Sequence, residues 1–147
     1  MKKLENEYST FDVMKIIGVK RERLREWTSQ GFVKPKTKAS GTGSKAIFGL
    51  LDLYKIAIFK RIVEAGVSRR MAAKWIDSNP VINNLQKLKD VNFVLLLINK
   101  EGGGSWISYF EPPWKLYEKD MIKKWEVGIL INLKKINNDV QERLKEM

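Results

Sequence analysis

Four backbone breaks, at Gly18, Gly31, Gly66 and Asn79-Pro80, divide the first 80 residues into segments that only short elements can fill. Glycine tolerates the positive φ of a tight turn, and the residue before proline is pushed out of the α region. Between these breaks the apolar residues recur at helical spacing. Ser9 or Thr10 can cap a first helix through about Ile17, with Val13, Met14, Ile16 and Ile17 as its apolar side. A second helix spans roughly 20–30, with Leu24 and Trp27 sharing a face at i, i+3. A longer one runs from about Leu50 to Ala65, and Ser68 can cap a fourth over Arg69–Ser78. Two short helices meeting at Gly18 fit a helix-turn-helix, although an ordinary helical corner reads the same way.

Between the second and third helices, Phe32-Val33 and Ala46-Ile47-Phe48 are strand-like and flank Pro35, Gly41 and Gly43 with Lys34, Lys36, Lys38 and Lys45. This pattern predicts a hairpin with a basic tip. Beyond Pro80, one more short helix is expected within 81–88. Residues 92–98 read as a buried strand, Gly102-Gly103-Gly104 as a turn, 105–110 as the return strand and 127–131 as a third. Leu133, Ile136, Val140, Leu144 and Met147 form the stripe of an amphipathic C-terminal helix, which either covers the sheet or meets a second subunit. The expected fold class is therefore α+β. A helical unit over 8–78, two short helices, a hairpin and two following helices, precedes a small antiparallel, hairpin-containing domain over 81–147 that ends in the amphipathic helix.

Composition removes most alternatives. The 147 residues include no cysteine and no histidine, which excludes disulfides, thiolate chemistry, His-dependent triads and the commonest metal ligands. No metal site and no cofactor are expected. No ordered carboxylate pair, phosphate loop or nucleophile elbow is present, and Gly102-Gly103-Gly104 lacks a following GK[ST], so the chain does not read as an enzyme. No apolar run nears the ~20 residues that span a bilayer, and Met1–Glu7 lacks the apolar core of a signal peptide. What remains is charge. The formal net charge is +11, of which +9 falls in residues 1–78 and +2 in the rest. Residues 20–45 alone carry eight basic side chains against Glu22 and Glu26. A polyanionic partner, nucleic acid ahead of a membrane surface, is the reading this favours.

Residues 8–78 resemble the winged helix-turn-helix domain of MerR-family transcription regulators. The matching text is Tyr8-Ser9-Thr10 leading to Val13 and Ile17, Gly18-Val19, and Leu24-Arg25-Glu26-Trp27. Gly31-Phe32 with Pro35, Phe48 through Leu53, and Gly66-Val67-Ser68 continue it in order. The resemblance implies a sequence-specific, double-stranded DNA-binding transcriptional regulator. Its recognition helix would be about 20–30 in the major groove, with the basic wing 33–47 on the backbone. The DNA-contacting set it implies is Lys20, Arg21, Arg23, Arg25, Trp27, Lys36, Lys38 and Lys45. Arg21 and Arg23 read equally as solvated charges. Trp27 falls where the family motif has an aromatic, but it shares a face with Leu24 and has a second reading as a core anchor.

Three positions depart from the family pattern. Glu26 replaces a common aromatic, leaving a carboxylate that would repel phosphate unless it accepts from a cytosine amino group or pairs with an arginine. Lys20 stands where a capping Ser or Thr is usual, and Ala46 where an arginine is expected. The resemblance further implies a homodimer, RNA polymerase as an indirect partner and a cytoplasmic, bacterial nucleoid-associated protein, with no membrane partner. An excisionase-like architectural or recombination accessory protein is the alternative; the 68 residues after position 79 weigh toward the regulator. Trp106, Tyr109, Trp114 and Trp125 in the second half are either its core or the lining of an effector pocket.

Overall fold

The computed structural model describes residues 7–37, 45–98, 104–109 and 127–147. Ser9 is the cap of the first helix, α1 (Thr10–Val13): its hydroxyl accepts from the Asp12 amide, and the Asp12 carboxylate accepts from the Ser9 amide at 2.9 Å. The helix continues as a wider π-helical turn over Met14–Gly18 and stops at Gly18, whose φ of 75° only glycine adopts cheaply. Helix α2 (Arg21–Ser29) ends at Gly31, also at positive φ. There the Gly31 amide donates to the Thr28 carbonyl and the Phe32 amide to that of Trp27.

This helix end corrects the expected strand at Phe32-Val33. Both amides donate to the Trp27 carbonyl, at 2.9 and 3.2 Å, so they close α2 instead of entering a ladder. The hairpin base lies further on, where Thr37 and Ile47 exchange both backbone hydrogen bonds. The strand β2 (Ile47–Phe48) also pairs antiparallel with β1 (Tyr8–Ser9), a pairing the sequence did not suggest.

Helix α3 (Leu50–Glu64) is the centre of the protein, burying Leu53, Tyr54, Ile56, Ile58, Phe59 and Ile62 around most of its circumference. Ser68 caps α4 (Arg69–Ser78) as expected, through the Met71 amide. The helix expected within 81–88 is displaced to α5 (Leu85–Asp90). The buried Asn79 side chain accepts from the amides of Val81 and Ile82, which holds that stretch as a turn, and Asn84 becomes the cap.

A three-stranded antiparallel sheet follows, with β3 (Phe93–Ile98) between β4 (Gly104–Tyr109) and β5 (Val127–Asn132). Phe93 sits opposite both Tyr109 and Asn132. Asn132 then caps α6 (Leu133–Lys145).

The stripe of α6 does more than cover the sheet. Leu133, Ile136 and Val140 are buried, and the helix packs on α3 and the first helix as well as on β3. Polar contacts tie it to the same elements: Gln141 donates to the Tyr54 hydroxyl, Asp139 pairs with Arg61 at 3.7 Å, and Arg143 reaches the Lys15 carbonyl. One apolar core therefore runs from Val13 through α3 to Val140.

Candidate nucleic-acid interface

Helix α2 is amphipathic. Advancing 100° per residue turns Leu24 and Trp27 inward and puts Glu22, Arg25 and Glu26 on the outer face, with Arg21 and Arg23 on its flanks. Leu24 is buried, and Trp27 keeps only 2% of its surface exposed. The Trp27 ring meets Phe59 of α3 edge-on at 4.9 Å, and Phe32 stacks on the same ring at 6.2 Å. This corrects one expected contact: Trp27 is the anchor that fixes α2 to α3, and its side chain is not available to a duplex. Favourable aromatic geometry and full burial both hold it there.

The cations are differently disposed. Lys20, Arg21, Arg23 and Arg25 are exposed on α2 or at its cap, and Lys36 and Lys45 are exposed beside the Thr37–Ile47 bridge. Lys20 caps α2 without a side-chain hydrogen bond, so its departure from the usual Ser or Thr leaves another positive charge at the helix start. Lys34, by contrast, is drawn to Asp77 of α4 at 3.2 Å. Lys38 lies outside the described residues.

Glu26 resolves by pairing. Its carboxylate accepts from the guanidinium of Arg69, the first residue of α4, which also lies 5.8 Å from the Phe32 ring centroid. Arg69 had no local sequence signal, because 43 residues separate it from its partner.

Of the aromatics read as a pocket or a core, Trp106 and Tyr109 fall on β4 opposite Leu96 and Phe93, while Trp114 and Trp125 lie outside the described residues. A groove of about 230 Å³ lies elsewhere, between Ile62 of α3 and Ala65 at its C-cap, Ile129 and Leu130 of β5, and Ile136 of α6. Among the described residues, no group of three or more acidic side chains is arranged to hold a metal ion, and no helix is long and apolar enough to cross a membrane.

Two helices joined at a positive-φ glycine, a paired strand beside them and a row of exposed arginines on the second helix define a helix-turn-helix DNA-binding unit. Over residues 8–79 the chain matches the family model described as MerR HTH family regulatory protein. Residues 8–79 carry that family's helix-turn-helix, which supports a DNA-binding transcriptional regulator. No curated protein matches the chain.

Proposed function

We propose that α2 enters the major groove and that the segment 33–47 acts as a wing on the adjacent backbone. The observation that carries this is the two-sided character of α2: an inner side glued to α3 by Leu24 and Trp27, and an outer side and flanks presenting Arg21, Arg23 and Arg25. An α-helix fits the major groove, where arginine addresses guanine edges bidentately. Arg25 is the base-reading residue in this proposal. Lys20, Arg21, Arg23, Lys36, Lys38 and Lys45 hold phosphates. Residues 8–78 serve as the DNA-binding part and 81–147, joined to it through the shared core, as the effector and dimerisation part, with Trp106, Tyr109, Trp114 and Trp125 as the residues at which to seek an effector. The protein works in the bacterial cytoplasm, on the nucleoid, and affects RNA polymerase through the DNA.

Reading and gripping separate experimentally. On a site footprinted in the protein's own promoter region, Arg25→Ala loses about 1–3 kcal/mol more than on random duplex. Lys36→Ala weakens both by the same factor, because phosphate carries no sequence. Competition titrations measure both ratios, and equal losses for Arg25→Ala on the two DNAs would move Arg25 to the backbone set.

Two half-sites read by linked copies multiply affinity, so the acting form is a homodimer. Light scattering at micromolar concentration then gives a mass near twice the chain's 17.1 kDa. A mass near that of one chain, with and without DNA, defeats the dimer.

A further inference from the structure

We infer that Arg69 is a positioning residue for DNA recognition: it neutralises Glu26 on the outer face of α2 and holds that carboxylate against α4, so this carboxylate no longer opposes the arginines beside it at the DNA. The inference rests on α2 being the DNA-contacting helix. Glu26 follows Arg25 directly in sequence and shares its face of the helix. A free carboxylate there would repel the phosphates that Arg21 and Arg23 approach. Instead it is ion-paired to Arg69, with the two side chains 43% and 42% exposed, open enough for a duplex to sense their charge.

Arg69 is held for this purpose from two sides. Its guanidinium lies over the Phe32 ring, which is itself stacked on Phe59. It also occupies the first position of α4, where the helix dipole disfavours a cation, and the first turn of α4 contains no acid to offset it. Glu26, from 43 residues earlier in the chain, supplies the missing counter-charge. The pair therefore spans α2 and α4, and its effect on DNA is exerted through Glu26.

A double-mutant cycle read as duplex affinity at low salt tests this. Arg69→Ala weakens binding about tenfold in the natural background but less than about twofold when Glu26→Gln is already present. Glu26→Gln alone, nearly isosteric, leaves affinity unchanged or raises it. Arg69→Lys retains most of the affinity because the point charge survives. Thermal midpoints of all four variants stay within a few degrees, since a half-exposed ion pair adds little stability.

Equal losses for Arg69→Ala in both backgrounds would overturn the inference and make Arg69 a direct phosphate contact. A loss of binding with Glu26→Gln would overturn it in the other direction, by making Glu26 a base acceptor. If the unsubstituted protein does not bind duplex at low salt, the reading of α2 fails and the inference fails with it, a result distinct from either cycle outcome.

Discussion

Replacing Trp27 with alanine lowers the stability of the whole protein by about 3–5 kcal/mol, the usual cost of removing a fully buried tryptophan from a core that cannot collapse around the gap. The ring is 2% exposed and packed edge-on against Phe59, so the loss combines apolar burial, the aromatic contact and a new cavity. For a chain of this size the thermal midpoint falls by on the order of 10 °C. Circular dichroism melts measure it directly. Duplex affinity of Trp27→Ala, assayed well below its midpoint, changes little, because the ring faces α3. The opposite pattern, an unchanged midpoint with weakened binding, would return Trp27 to the DNA-contacting set.

The second large effect is ionic. In the proposed dimer, two copies of Lys20, Arg21, Arg23, Lys36, Lys38 and Lys45 would give about 6–10 phosphate contacts, and each such contact releases condensed counterions. Duplex affinity then drops by about 10³–10⁵ between 50 and 200 mM salt. Fluorescence anisotropy across that range gives the slope of log affinity against log salt. A flat slope would mean that the exposed cations of α2 and of the segment 33–47 do not hold the backbone. Absence of duplex binding even at the lowest salt would remove the proposed groove interface altogether.

Much of the fold was legible before any coordinates because its signals act within one helical turn. Ser9 and Ser68 cap helices through amides three residues on, and Gly18, Gly31 and Gly66 end elements by adopting positive φ. The i, i+3, i+4 stripe of Leu133, Ile136 and Val140 marked α6, and the apolar run at 93–98 marked the central strand. Local competition also explains two misreadings. The Phe32 and Val33 amides were already taken by the end of α2, and Asn79 held the amides of Val81 and Ile82.

The basic character of the 20–45 stretch, and with it the expectation of a nucleic-acid partner, was determined by the sequence alone, since charge needs no geometry to be counted. Tertiary structure decided what each residue of that stretch faces. Leu24 and Trp27 shared a helical face in either reading, but only Phe59, 32 residues away, makes that face an interior one. Glu26 met Arg69 across 43 residues, Tyr8 paired with Phe48, and Arg143 of α6 reached the Lys15 carbonyl across 128. Such contacts leave no periodicity or cap in the sequence. They arise when α3 buries most of its circumference and draws α2, α4 and α6 onto its surface, so their partners are set by packing around that helix and not by spacing along the chain.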